Sequence, residues 1–130
     1  MPESIVVVAA VIERNGRFLV TRRLTGTHLA GYWEFPGGKV HPGETHEAAL
    51  QREMLEELDT GISAPEKIFH ASHVYADRDV ELHFYRAQTT GEPHPVLGQE
   101  LRWITRDEFR ALPFPPADAE LIDRLIHASL

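Results

Sequence analysis

The chain contains no cysteine. Disulfide bonds and thiolate metal sites are therefore excluded, and the redox compartment cannot be read from thiols. Long apolar runs are also missing. The stretch Ile5 to Ile12 is eight residues long, whereas a membrane-spanning helix needs roughly 20. No basic segment precedes it, so it does not read as an export signal. A cytoplasmic protein with no membrane partner is expected. Cations are scarce as well: 13 Lys and Arg against 20 Asp and Glu leave a net charge of −7. Such a surface has no general attraction for a nucleic acid polymer or an anionic membrane. If the chain handles an anionic ligand, it needs divalent cations and a few placed arginines to do so. Repeats, low-complexity segments and long linkers are absent. A length of 130 residues fits one domain with its own core, so a single domain over residues 1–130 is expected.

What is present alternates between two kinds of pattern. The β-branched run Ile5–Ile12 reads as a buried strand. Asn15-Gly16 is a hairpin turn signal, and Phe18–Arg23 is the returning strand. Thr25–Tyr32 reads as a loop, and Trp33–Phe35 as a short strand that stops at a turn, Pro36-Gly37-Gly38. Thr45 to Leu58 carries an apolar stripe at helical spacing, with Thr45 as its cap and Asp59-Thr60-Gly61 as its end. Strands then return at Lys67–Tyr75, Val80–Gln88 and Leu101–Ile104, the first two joined through Asp77-Arg78-Asp79. Thr105 is positioned to cap a helix over Arg106–Leu112, and a last helix is expected from about Ala117 to His127. Strands, helix, strands, helix is the order of an α/β layered domain.

The central helix raises a question of charge. Glu53, Glu56 and Glu57 lie at i, i+3 and i+4, on one helical face. Clustered carboxylates repel, by some tenths of a kcal/mol per exposed pair. Only Arg52 is near, and the helical period aims it about 100° away from Glu53. A hard divalent cation relieves this repulsion, and Mg2+ prefers oxygen ligands. By itself the cluster is equally a solvated acidic face. Just upstream, Gly37 and Gly38 let backbone approach a ligand closely, Lys39 adds a cation, and Glu44 precedes the first helical turn.

These residues together resemble a known signature. Gly38, Glu44, Arg52, Glu53, Met54, Glu56 and Glu57 match the pattern G-x5-E-x7-R-E-U-x-E-E-x-G-U of the Nudix hydrolase family at the right spacings. Asp59 and Thr60 depart from its last two positions, a glycine and an aliphatic. The run from Thr21 to Lys39, the segment Gly98–Phe109 and the proline-rich Pro113–Leu125 are similar to the MutT-like branch. The resemblance implies an α/β/α sandwich, with a mixed β-sheet between helices. It also implies a Mg2+-dependent hydrolase, with Mn2+ as a substitute, that cleaves nucleoside triphosphates to the monophosphate and pyrophosphate.

The resemblance also assigns roles. Glu53, Glu56 and Glu57 would bind the metal, with the Gly38 carbonyl as a further ligand. Glu53 would take the proton of the attacking water, and Glu44 is a second base or metal-shell candidate. Arg52 would orient the glutamates through ion pairs. Glu100 aligns with a loop glutamate that serves metal binding or base catalysis; otherwise it is an exposed residue before a strand. Arg23 and Lys39 are phosphate candidates, and Arg22 should face the other way if its strand persists. Phe35 either packs on a nucleobase or belongs to the core. Asp118 stands where guanine-reading relatives place Asn. Ionised, it only accepts hydrogen bonds, which suits donor-rich edges such as cytosine N4 or guanine N1/N2. Its competing role is to cap the last helix. Oxidised or modified nucleotides such as 8-oxo-dGTP are the expected substrates. Alternatives are pyrimidine triphosphates, dinucleotides or nucleotide sugars, or a silent nucleotide-binding module. A monomer or homodimer is expected.

The remaining residues read more plainly. Trp33, Trp103 and Phe109 are expected in the core. The chain has eight histidines, but none pair at zinc-ligand spacing. His70 and His73 fall on opposite faces of a strand, and His41 and His46 flank a turn.

Overall fold

β-branched and alanine residues make up most of the first strand of the computed structural model, which describes residues 3–128. In chain order the elements are β1 (Glu3–Val11), β2 (Glu13–Arg14), β3 (Arg17–Arg22), β4 (Trp33–Glu34), β5 (Gly37–Lys39), α1 (His46–Leu58), β6 (Ile62–Val74), β7 (Arg78–Thr89), β8 (Leu101–Ile104) and α2 (Ala119–Ile126). The first hairpin turns on Asn15 (φ 52°) and Gly16 (φ 75°), two left-handed residues in a row, as a type I′ turn requires.

One sheet runs β5-β1-β7-β6, with β1 and β7 parallel and the other pairs antiparallel. The second groups β2, β3 and β4, with β8 on the free side of β3. Alternation along β1 and β7 sends side chains to opposite faces. Val8, Ala10, Tyr85 and Ala87 pack under the α1 residues Ala49, Leu50, Met54 and Leu58. Ala9, Val11, Leu82 and Phe84 pack under the α2 residues Leu121, Ile122 and Leu125. The mixed sheet therefore lies between two helices, as the sandwich reading expects. Met54 and Leu58 are fully buried. Truncating either to Ala costs on the order of 2–5 kcal/mol, so α1 is rigidly seated.

Five local expectations change. Pro36-Gly37-Gly38 is not a turn: residues 37–39 pair with β1 as an edge strand, Val8 opposite Gly38. A Cβ at Gly37 would lie 2.0 Å from the Val8 carbonyl oxygen, so absence of a side chain is what permits this approach. The helix expected over Arg106–Leu112 is a single 3-10 turn, Asp107–Arg110. Thr105 does not cap it; Glu108 reaches back to accept from the Thr105 N–H and hydroxyl, at 3.0 and 3.1 Å. The last helix begins at Ala119 after a 3-10 turn over Pro116–Asp118. Trp33 and Phe109 are core residues as expected, while Trp103 is only partly buried, with the Arg14 guanidinium over its ring.

Candidate active site

The helix bearing the acids starts and stops under tight local control. Thr45 Oγ1 accepts from the Ala48 N–H at 3.1 Å. Asp59 ends the helix in the left-handed region, and its N–H donates to the Leu55 carbonyl. The loop after β7 seals the same end: Val96 N–H and Gln99 Nε2 both donate to the Glu57 carbonyl at 3.1 Å. Glu57 is thereby held where α1 meets the sheet edge.

β5 lies directly against this helix. A Cβ at Gly38 would sit 2.4 Å from the Glu53 carboxyl carbon, so Glu53 fills the space that a side chain there would take. Arg52 ties the cluster together. Its Nε and Nη2 donate to Glu44 at 2.8 and 3.0 Å, Nη1 donates to Glu53 at 2.8 Å and Glu56 at 3.3 Å, and Nη2 also donates to the Lys39 carbonyl at 2.9 Å. The helical period does aim Arg52 away from Glu53, but its long stem brings the guanidinium back across the face. Arg52's hydrogen bonds hold the Glu44 carboxyl down at about 2, with help from the His41 N–H. Glu44 in turn keeps Arg52 firmly protonated. Arg52 thus bridges three carboxylates, Glu44, Glu53 and Glu56.

Glu53 and Glu57 face a cavity of about 390 Å3 together with Gly37, Gly38, Lys39, Arg23 and Glu34. Burial pushes the Glu57 carboxyl up to about 9, aided by its hydrogen bond with Glu53 and the charges of Glu34 and Glu53. Burial also raises Glu34, although Arg23 Nη1 pairs with it at 2.6 Å. These crowded, partly desolvated carboxylates outnumber the two guanidiniums that pair with them, Arg52 and Arg23, and an all-oxygen donor set of this kind suits Mg2+ or Mn2+. The residues therefore fit a divalent hard cation. Glu56 lies at the solvent edge of the cluster, its side chain 59% exposed.

Glu100 is placed differently. It is exposed, pairs with Arg22 at 3.5 Å and Arg102 at 3.1 Å, and does not line the cavity. Arg22 and Arg23 were expected on opposite faces, but β3 ends at Arg22, alternation stops there, and both line the cavity. Phe35 is a core residue, as one of its two readings expected, packed edge-on or tilted among Phe84, Phe109 and Phe114, and it also lines the cavity. Asp118 is buried and lines the same wall. It stands at the start of α2 but makes no side-chain capping bond, so the capping role is not realised. Burial, reinforced by Glu34, pushes its carboxyl up to about 7 despite Arg23. In its protonated form it both donates and accepts, as an Asn amide does; ionised, it only accepts.

A NUDIX domain model matches residues 7–124. The chain belongs to the Nudix hydrolase family. Among similar proteins, the 8-oxo-dGTP diphosphatase of Haemophilus influenzae is 40% identical over 98% of this chain and 96% of its own. The CTP pyrophosphohydrolase of Escherichia coli is also 40% identical, over 93% of this chain and 90% of its own. The crystal structure of the MutT NUDIX hydrolase from Burkholderia pseudomallei superposes with a TM-score of 0.85 at 29% identity, over 95% of this chain and 98% of that one. The Nudix chain is thus MutT-like in sequence and in fold.

Both departures from the Nudix signature have a local explanation. Asp59 adopts φ 53°, the left-handed region that the signature glycine favours and that Asp tolerates better than most residues. Thr60 is buried like the aliphatic it replaces, and its hydroxyl accepts from the Gly91 N–H at 3.0 Å. Glu34 is a cavity residue that the sequence reading did not single out. The signal was there: it directly precedes Phe35-Pro36-Gly37-Gly38 on a short strand whose neighbour, Trp33, is core.

Proposed function

We propose that this chain is a Mg2+-dependent pyrophosphohydrolase that converts nucleoside triphosphates to the monophosphate and pyrophosphate, with oxidised purine nucleotides such as 8-oxo-dGTP preferred. The observation that carries this reading is one cavity shared by Glu53, Glu57, Arg23 and Lys39 with the apolar wall of Phe35, Leu82 and Phe84 and the buried Asp118. Its volume, about 390 Å3, lies within the roughly 300–1,000 Å3 range of small-ligand sites. The H. influenzae relative bears the name of that activity.

In the proposed reaction a water oxygen attacks phosphorus, the bridging P–O bond between the α and β phosphates breaks, and pyrophosphate leaves. The Glu53 carboxylate takes the water proton; Arg52 holds its Oε1 and fixes its direction. Glu53, Glu56, Glu57 and the Gly38 carbonyl would hold Mg2+, which would supply positive charge to offset that of the phosphates. Arg23 and Lys39 receive phosphate oxygens. Phe35 and its neighbours exclude water around the base, and Asp118 donates to a base carbonyl while accepting from an adjacent N–H. Glu44 supports the set through Arg52. Glu100, exposed and paired with Arg22 and Arg102 outside the cavity, is given no role in this reaction.

A second substrate is favoured by one specific finding, the equal identity to a CTP pyrophosphohydrolase. Cytosine also offers a donor beside an acceptor, so Asp118 suits both. A hydrolysis panel over normal and oxidised nucleotides, with pyrophosphate and phosphate detected separately, tests the reading. Pyrophosphate release concentrated on 8-oxo-dGTP supports it, release concentrated on CTP transfers it to pyrimidines, and no release from any triphosphate overturns it. Residues 1–130 are read as a single Nudix domain acting in the cytoplasm, as a monomer or homodimer. No helix among the described residues is long and apolar enough to cross a membrane.

A further inference from the structure

We propose that His70, Glu81 and His83 form a second metal site, selective for Zn2+ or a comparable borderline divalent ion and separate from the carboxylate cavity. None of the three lines that cavity. They meet because of strand pairing. Glu81 and His83 are two apart on β7 and share a face, the face that α1 covers. His70 on β6 stands directly opposite His83. Two bulges in the β6–β7 pairing lie before that point and set the register.

The side chains converge on one spot. Glu81 Oε1 lies 3.2 Å from His70 Nε2 and 3.0 Å from His83 Nε2. One ligand atom from each residue falls within 4.8 Å of the others. A closed tetrahedral site, with metal–nitrogen bonds of about 2.0–2.1 Å, draws its ligand atoms somewhat closer than that. His70 is the member free to move in, since its side chain is 46% exposed.

Chemistry and surroundings favour this ion class. Two imidazoles and a carboxylate suit Zn2+, whereas Mg2+ selects oxygen. His83 is buried, and desolvation lowers its pKa, helped by Lys67, His46 and His70 and opposed by Glu81. His83 is also gripped on both sides: His70 stacks on it at 4.5 Å between ring centres, and the His46 ring lies 4.5 Å away. His46 is the first residue of α1 and bonds Tyr85 Oη through Nδ1 at 2.9 Å. An ion here would brace the β6–β7 hairpin beside the start of the catalytic helix.

The test is Co2+ titration of the whole chain followed by visible absorption, with a large excess of Mg2+ present to occupy the carboxylate cavity. Four-coordinate Co2+ on imidazole absorbs strongly, whereas Co2+ on carboxylates and water absorbs weakly. Zn2+ should displace it and raise the Tm. The expected result is one strongly absorbing equivalent in the wild type, weakened by about tenfold or more in His70→Gln and in Glu81→Gln. It should persist in Glu53→Gln. Both altered residues are partly exposed, so these variants keep the metal-free Tm, whereas His83→Gln alters the core. Unchanged binding in His70→Gln and Glu81→Gln, loss in Glu53→Gln, or no strong absorption at all overturns the proposal. None of these readouts depends on catalysis.

Discussion

The Glu53 carboxylate occupies the place of a missing side chain at Gly38, with its carboxyl carbon 2.4 Å from where a Cβ would be. The neighbouring glycine is crowded differently. A Cβ at Gly37 would strike the backbone of Val8 and Ala9 at 2.0 and 2.7 Å. A carboxylate can swing aside, but strand backbone cannot without breaking the β1–β5 pairing. Gly38→Ala should therefore leave the protein folded and displace Glu53, giving a large loss of kcat with a small change in Tm. Gly37→Ala should lower the Tm sharply. Thermal melts beside steady-state kinetics on both variants check this; equal loss of Tm in the two would contradict it.

Arg52 touches Glu44, Glu53, Glu56 and the Lys39 carbonyl at once. A planar fork makes that set and an ammonium cannot. Arg52→Lys should reduce kcat about 10–100-fold and raise the Mg2+ concentration for half-maximal rate, as loss of ligand-orienting contacts does. The nucleotide KM should change little. A selective rise in KM would instead mean that Arg52 contacts phosphate.

Asp118 makes stability depend on pH. Burial raises its carboxyl from the ordinary aspartate value of 3.8 to about 7 in the folded chain. The native state therefore binds the extra proton between those values. This contribution is fully present below about pH 4 and is lost as pH rises through about 7, with an amplitude of a few kcal/mol. Glu57 and Glu34, also raised, act with the same sign. Asp118→Asn should remove the part of the slope between pH 4 and 7 and stabilise the metal-free protein at pH 8. Urea melts across that range measure it; an unchanged slope would show that Asp118 is ionised when folded.

Asp59 is a non-glycine residue in left-handed backbone at the end of α1. Asp59→Gly should stabilise the chain by about 1 kcal/mol. Activity should not change, because Glu57 is fixed by Gln99 and Val96 as well as by the helix end. Chemical denaturation reads the first and a rate assay the second.

Much of the candidate site was legible because it is local. The spacing of Glu53, Glu56 and Glu57 and the Thr45 cap depend on one helix, and a helix is written in consecutive residues. Arg52 was legible as an ion-pair partner of the glutamates but not in direction, since a long side chain is not bound by the angle of its Cα. Gly37 and Gly38 read as a turn because glycine carries no strand preference. Only the crowding against Val8 and Glu53 shows why they are glycine. The state of Asp118 follows from burial, which no neighbouring residue announces. The meeting of His70 with His83 was illegible for a further reason: cross-strand register after two bulges is a property of the sheet.

The most direct measurement is the steady-state rate of Glu53→Gln with Mg2+ and 8-oxo-dGTP, beside its Tm. Gln keeps the size of Glu53 but cannot take a proton from water. A fall in kcat of about 10²–10⁴-fold with an unchanged fold is expected for a lost general base. A kcat near that of the wild type would contradict the placement of the chemistry at Glu53.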